Sequence, residues 1–339
     1  MNALVTGATG LLGSHLIFHL ISNKFNVTAL YRTELKKRHV KTIFKYYTQQ
    51  SDALLNKINW VKLDLLHYDD LEQVIIGQDV IFHLAAKVSF SPTDTKEIVW
   101  YNKQITDNLV NALLVANPNA LLIHCSSIAA LGRSENHSQL IDETTQWVDS
   151  PSNTAYAISK FQSELAVWRG AEEGLKASVV NPGIIIGPGF WEEGSGKLFS
   201  LLYRGFKFYS TGYNGFVDVN DVAKAMKMLA NRQLVGKKYI LVENNYSYKQ
   251  IFDWICEAMA VEKPSIEIKP WMAEIFWRLE ALRGLVMKKE PFITKELAKS
   301  ATNKSLYNGL KITAETDFTY TSLQNNIARY AKFYQSDRI

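Results

Sequence analysis

The stretch that decides the fold is Thr6-Gly7-Ala8-Thr9-Gly10-Leu11-Leu12-Gly13, set between the apolar pair Leu4-Val5 and a segment, Ser14 to Ile21, with helical apolar spacing. A strand that runs into glycines and then into a helix lets a backbone come close to an anion. One glycine permits the tight turn, one the close approach, and one the packing of helix against strand. The helix beginning near Leu11 turns free N–H groups and the positive end of its dipole toward the same point. The spacing is GxxGxxG rather than GxGxxG. Alone it would describe an ordinary strand-to-helix turn; its place between the first strand and the first helix makes it a dinucleotide-binding candidate.

Outward from that turn, short apolar runs alternate with helical patterns. Val27 to Tyr31, Trp60 to Leu63, Val80 to Leu84, Leu121 to Cys125 and Ala177 to Val180 read as strands. Between them, Asp69 to Ile76 (stopped by Gly77), Lys96 to Val115 and Asn153 to Ala171 read as helices, while the stretch through Lys45 is basic and polar. Strands alternating with helices imply parallel βαβ units, so the expected class is α/β, a Rossmann-type doubly wound parallel sheet. After Pro182 the rhythm loosens, and Gly183, Gly187, Pro188, Gly189, Gly194 and Gly196 crowd what reads as a loop at the mouth of a site. Leu198 to Tyr203, Val222 to Ala230, Tyr248 to Met259 and Trp271 to Met287 then suggest a smaller, mostly helical C-terminal substrate lobe. The expected division is interleaved: residues 1–182 with about 213–243 bind NAD(P), and 183–212 with 244–339 bind substrate.

Length and composition agree with this division. At about 150 residues per domain, 339 residues make roughly two. With 47% hydrophobic and 21% charged residues, the chain can bury a large core and is not disordered. Lys+Arg 38 against Asp+Glu 33 leaves +5, too mild and too spread for a nucleic-acid protein. Cys125 and Cys256 make no disulfide framework and fit a reducing compartment. No leader-like segment opens the chain, and the uncharged stretch Asn108 to Gly132 is broken by Asn117, Pro118, Asn119 and His124. It reads as helix, turn and buried strand rather than an integral membrane segment, so a soluble cytoplasmic protein is expected.

Cofactor choice turns on the end of the second strand. NAD binders often carry an acid there for the ribose hydroxyls. Here the residues are Leu30-Tyr31-Arg32, and no acid precedes Glu34. An arginine favours a 2′-phosphate through a charge-assisted contact, so NADP is expected over NAD, with NAD possible in principle. Lys36, Lys37 and Arg38 read as a solvated basic helix face. Asp64-Leu65, after the third strand, is placed to meet an adenine edge, or else makes a strand-end turn.

Tyr156 and Lys160, at i and i+4, share a helix face. A nearby ammonium favours an ionised phenol, and such a tyrosine can give a proton to a carbonyl oxygen as hydride reaches carbon. The spacing recurs at Tyr203/Lys207 and Tyr307/Lys311, so context must choose. Only Tyr156/Lys160 follows a strand ending in Ser126-Ser127, where open α/β sheets place their sites. A serine hydroxyl there could orient a carbonyl.

At this point the chain resembles an extended short-chain dehydrogenase/reductase, of the NAD-dependent epimerase/dehydratase family and its dihydroflavonol-reductase-like branch. The matching segments are Thr6 to Gly13, Asp64-Leu65, His83-Leu84-Ala85-Ala86, Asn102, Ser126-Ser127 to Gly132, Tyr156 to Lys160, Asn181-Pro182-Gly183 to Gly189, and Phe216 to Val222. They keep the family's order over about residues 1–235. The resemblance implies that Tyr156 is the proton donor or acceptor and that Lys160 tunes it and holds the nicotinamide ribose. The family's catalytic serine stands five residues before a glycine, so Gly132 selects Ser127. Asn102 matches the asparagine of the long central helix, against the alternative of a helix-surface amide. The implied cofactor contacts are Gly7, Thr9, Gly10, Leu11, Leu12, Gly13, Arg32, Asp64, Leu65, Leu84, Ala85, Ala86, Pro182 and Gly183. The family often has Arg where Asn181 stands, and its late segment is only loosely echoed by Asn303 to Gly309. The resemblance also implies a homodimer through the helices carrying Asn102 and Tyr156.

Three functions compete. The first is hydride transfer between NADP(H) and a small carbonyl or alcohol substrate. The second is an NAD-dependent sugar-nucleotide epimerase or dehydratase, disfavoured because few arginines (Arg204, Arg232, Arg278, Arg283) are available late in the chain to clamp a diphosphate. The third is a non-catalytic cofactor-binding sensor or assembly factor, disfavoured because Tyr156 and Lys160 are kept. His15 and His19 have zinc-compatible spacing but no accompanying ligands, so no metal is expected. No GxSxG elbow supports a hydrolase. Trp271, Ile275, Leu279, Leu282 and Val286 fall on one stripe, either a core-packing face or a lid over a hydrophobic substrate.

Overall fold

The computed structural model describes residues 1–88, 94–132, 140–151, 153–269, 271–272, 274–275, 277–278 and 304–338. In chain order the elements run β1 (Asn2–Thr6), α1 (Leu11–Ser22), β2 (Asn26–Tyr31), α2 (Lys37–Tyr47), α3 (Ser51–Leu55), β3 (Ile58–Lys62), α4 (Tyr68–Ile75), β4 (Val80–His83), α5 (Thr95–Ala116), β5 (Leu121–Cys125), α6 (Ala155–Glu172) and β6 (Ala177–Pro182). The chain continues through β7 (Ile184–Ile186), α7 (Lys197–Tyr203), β8 (Phe208–Tyr209), β9 (Tyr213–Asp218), α8 (Val219–Asn231), β10 (Lys238–Leu241), β11 (Asn244–Ser247), α9 (Tyr248–Met259), β12 (Ile266–Glu267), α10 (Lys311–Glu315) and α11 (Leu323–Ser336).

The central sheet has seven strands in the order β10-β6-β5-β4-β1-β2-β3, all paired in parallel. The order reverses between β1 and β4, the crevice where doubly wound sheets take their ligands. Alternation along the strands builds two cores. Ala3, Val5, Val80, Phe82, Leu121 and Ile123 join a cluster with residues of α1 and α8; Leu4, Ile81, Leu122, Ala177 and Val179 join another with α4, α5 and α6. A sheet covered on both faces needs apolar residues at nearly every strand position, and each fully buried Leu, Ile or Val contributes about 1.5–3 kcal/mol.

The face toward α5 and α6 changes character near the C-terminal strand ends. There Thr6, His83 and His124 stand in register, and all are buried. Gly170 brings α5 and α6 together, since a Cβ there would meet Val110 Cγ1 at 2.5 Å.

Several elements differ from the sequence reading, among them β7, a strand within the stretch read as a loop. The basic segment through Lys45 is a helix, α2, whose Val40, Ile43 and Phe44 are buried beneath the charges. The seventh strand, β10, extends the sheet beyond the six strands read from the pattern, pairing Lys238 to Leu241 with Val179 to Pro182. Beyond the sheet, β7, β9 and β11 form a three-stranded sheet that packs with α7, α9 and α11 in a third core around Phe199, Phe216, Ile255 and Tyr330. Of the predicted Trp271 stripe, Trp271 and Ile275 are exposed, and Leu279, Leu282 and Val286 lie outside the described residues. Among the described residues no helix is long and apolar enough to cross a membrane.

Candidate active site

The glycine turn comes first in the chain and in the site. Gly7 has φ +66°, and a Cβ on it would lie 2.7 Å from the Ala85 backbone nitrogen. A Cβ on Gly13 would lie 2.2 Å from the Gly7 carbonyl oxygen. The turn closes by Gly10 N–H donating to the Gly7 carbonyl at 3.0 Å, and α1 starts from Gly10 with no side-chain cap. The first amides of the helix, at Leu11 and Leu12, thus have no side-chain cap, Gly10 beside them is exposed, and the first turn carries no acid. This cradle suits a pyrophosphate, because only glycine leaves room for the approach and the helix start has donors to offer.

Thr6 ties the glycine turn to the next strand end. Its Oγ1 accepts the Leu84 and Ala85 N–H groups at 3.2 and 3.1 Å and meets His83 Nδ1 at 2.8 Å. His83 continues through Nε2 to Thr106 Oγ1 at 3.1 Å. Burial pushes the His83 imidazole down to about 3, as it does His15. His83 is thus a neutral fastener of the Leu84-Ala85-Ala86 turn. Sequence reasoning passed over Thr6 as part of the motif; its signal was a hydroxyl closing an apolar strand.

Arg32, at the end of β2, is exposed and donates from Nη1 to the Tyr101 hydroxyl at 2.7 Å, with its guanidinium 5.6 Å from that ring's centre. Lys37 is paired with Glu34 at 2.6 Å and lies over the Tyr31 ring. Asp64 takes the Leu66 N–H at 3.1 Å, and Asn108 holds the Leu65 carbonyl at 3.0 Å. Asp64 thus makes the strand-end turn that was one of its two readings. Tyr101, which steadies Arg32 across 69 residues, had no signal in the local sequence.

Tyr156 sits in the first turn of α6, whose cap Thr154 accepts the Ala157 N–H at 3.0 Å. Its phenol lies beside the Ser127 side chain, which favours the ionised form. Ser127 precedes a 3-10 turn, Ile128–Leu131, and its Oγ also accepts the Ala129 N–H at 3.2 Å. The Ser126 side chain is buried without a partner, so of the two serines the fold brings Ser127 to Tyr156. Gly132 ends the turn at φ +81°, where a Cβ would press on the Gln146 carbonyl.

The expected lowering of Tyr156 by Lys160 is not what the structure shows. Burial pushes the phenol up to about 12, and the Ser127 side chain offsets this only in part. The buried Lys160 ammonium instead donates to the Cys125 carbonyl at 2.9 Å; burial lowers it, against the opposing fields of Cys125 and Glu164. The other Tyr/Lys pairs share no helix: Lys207 lies past the end of α7, and Tyr307 precedes α10.

Asn102 is buried rather than on a helix surface. Its Oδ1 accepts the Lys87 N–H at 2.7 Å, and its Nδ2 donates to the Lys87 carbonyl at 2.9 Å and to Ser159 Oγ at 3.1 Å. It laces the turn after β4 to α6. Pro182 ends β6, and Gly183 lies against β9, where a Cβ would come within 2.4 Å of the Gly215 carbonyl oxygen. His15 and His19 are hydrogen-bonded to the Pro188 carbonyl and to Asn220, and among the described residues no group of three His, Cys, Asp or Glu side chains is arranged around a cation.

The profile of the NAD dependent epimerase/dehydratase family matches residues 3–242. The chain belongs to that family: it is an NAD(P)-dependent enzyme of the extended short-chain dehydrogenase/reductase type. Cinnamoyl-CoA reductase 1 of Petunia hybrida is 28% identical over 71% of this chain and 72% of its own length. Anthocyanidin reductase of Arabidopsis thaliana is 26% identical over 75% of this chain and 79% of its own. The crystal structure of DesIV, a dTDP-glucose 4,6-dehydratase from Streptomyces venezuelae with NAD and TYD bound, superposes with a TM-score of 0.76 at 17% identity, covering all of this chain and 98% of that one.

Proposed function

We propose that the protein transfers hydride between NADP(H) and a small carbonyl or alcohol substrate, with Tyr156 as the acid/base group. The observation that carries this reading is the Tyr156 phenol set beside the Ser127 side chain just past the C-terminal end of β5. Bound NADPH would supply hydride. Gly7 to Gly13 would hold the pyrophosphate, Arg32 the 2′-phosphate, and Asp64-Leu65 the adenine side. The Leu84-Ala85-Ala86 turn and Pro182-Gly183 would border the nicotinamide half. Ser127 would hydrogen-bond the substrate oxygen while Tyr156, neutral at physiological pH, gives it a proton. Lys160 would then swing from the Cys125 carbonyl to the ribose and favour the phenolate left behind.

The reductase names among the relatives support a carbonyl substrate. Arg204, Arg232 and Arg278 are each paired with an acid, Glu192, Asp317 and Glu274, and so are already engaged rather than waiting for a diphosphate. We assign residues 1–182 with about 213–243 to the cofactor lobe and the rest to the substrate lobe. We also expect a cytoplasmic homodimer through α5 and α6, whose outer faces expose Trp100 and Leu165. The test is the loss of NADPH absorbance with a panel of aldehydes and ketones, for wild type and Tyr156→Phe. Turnover that survives the substitution unchanged would sink the assignment; NAD bound through purification and indifference to NADPH would point to the epimerase or dehydratase reading.

A further inference from the structure

Behind the Ser127–Tyr156 pair lies a buried polar cluster that the scheme above leaves unused. It is formed by Asn181 of β6, Glu164 of α6 and Lys238 of β10. The Asn181 amide donates one N–H to the Ser127 backbone carbonyl at 3.0 Å and the other to Glu164 Oε2 at 2.8 Å. These two acceptors fix the orientation of the amide, because the flipped group would set oxygen against oxygen. The other Glu164 oxygen takes the Lys238 ammonium at 2.8 Å and the Trp168 indole N–H at 3.3 Å. Glu164 and Asn181 are both buried.

Buried amides and carboxylates are costly, and an apolar side chain could fill the same volume at the end of β6. What the amide adds is a fixed bond to the carbonyl from which the Ile128–Leu131 turn departs. That carbonyl and the Ser127 hydroxyl belong to one extended residue, φ −161° and ψ 155°. A fixed carbonyl holds the Ser127 backbone in this extended conformation, and with it the start of the turn whose Ala129 N–H donates to Oγ. Glu164 takes the second N–H of the same amide nitrogen, while Asn181 Oδ1 is buried without a partner, and Lys238 balances the Glu164 charge. Tyr156, Lys160 and Glu164 follow one another at four-residue spacing on α6, so one helix face supplies both the reacting groups and their support.

We propose that Asn181, held by Glu164 and Lys238, is a positioning residue that sets the Ser127 hydroxyl against the Tyr156 phenol. It is fully buried and acts through Ser127 alone. The proposal rests on the reading of Ser127 and Tyr156 as the working pair. The test uses the full chain with meta-fluorotyrosine at position 156, carrying N181L, S127A or both. N181L should move the fluorine resonance toward that of S127A and lower kcat by about tenfold or more, with KM for NADPH little changed. The double variant should match S127A in both measurements, because nothing remains for Asn181 to position. A wild-type resonance in N181L, or additive losses in the double variant, would overturn the proposal. If N181L does not fold, N181D combined with E164Q keeps the volume and one negative charge yet removes the donor to Ser127; it should behave as N181L was expected to, and wild-type behaviour again overturns the proposal. A wild-type protein that reduces no carbonyl compound defeats the functional reading, while the fluorine resonances still decide the role of Asn181.

Discussion

Tyr156→Phe removes a single hydroxyl, and with it the proton that the reduction needs. The expected result is a fall in kcat of about 10²–10⁴ with NADPH affinity nearly unchanged, read by turnover and fluorescence titration. Arg32→Ala should weaken NADPH binding by roughly ten- to a hundredfold and leave NADH binding alone, since a charge-assisted hydrogen bond is worth about 1.5–3 kcal/mol. Equal loss for both cofactors would remove the 2′-phosphate from Arg32. At this scale the sequence showed residues whose chemistry is local: a serine at a strand end, an arginine where an acid is usual, a Tyr/Lys pair on one helix. It concealed Tyr101, Asn181 and Glu164, whose partners come from distant segments. It also misjudged the direction of the Tyr156 shift, because burial cannot be read from a four-residue spacing.

Elements depend on features smaller than themselves. Thr154→Ala deletes the cap of α6 one residue before its first turn begins, at a cost of about 1 kcal/mol. Because Tyr156 stands in that turn, the melting temperature and kcat should fall together; a melting temperature unchanged from wild type would show that the cap is not needed. Gly13→Ala sets a methyl group against the Gly7 carbonyl, and overpacking of this kind costs about 1–3 kcal/mol. Its expected signature is weaker NADPH binding with a lower melting temperature. Long periodic segments such as α5 and α9 were legible within a residue or so, and β5 matched at both ends. The segment that became α2 was obscured by its charges, and β10 by the lysine pair Lys237-Lys238 at its start, although Tyr239, Ile240 and Leu241 are all buried.

For the molecule as a whole, buried histidines set the acid limit. His15 and His83 are held down to about 3, His124 well below the usual histidine value, and His19 lower than usual, in each case chiefly by burial. A depressed folded pKa stabilises the protein above the unfolded value of about 6.5, and that contribution is lost as pH falls toward the folded value. Each such group adds a slope of up to about 1.4 kcal/mol per pH unit. Asp218, raised by burial to about 6, works in the opposite sense and is outnumbered. Urea midpoints should therefore drop steadily from about pH 6.5 downward; a flat profile would mean that water already reaches these rings.

The chain also crosses back late. Ile312 and Phe318 are buried in the same core as α1, β1 and α8. Thr321 donates its backbone N–H to Asp221 at 2.7 Å, and Lys311 its ammonium to the Lys238 carbonyl at 3.0 Å. During synthesis the glycine cradle therefore leaves the ribosome long before the residues that finish the core behind it. The nascent chain holds all seven strands of the central sheet with an uncovered flank until residues 311–321 emerge to close that core.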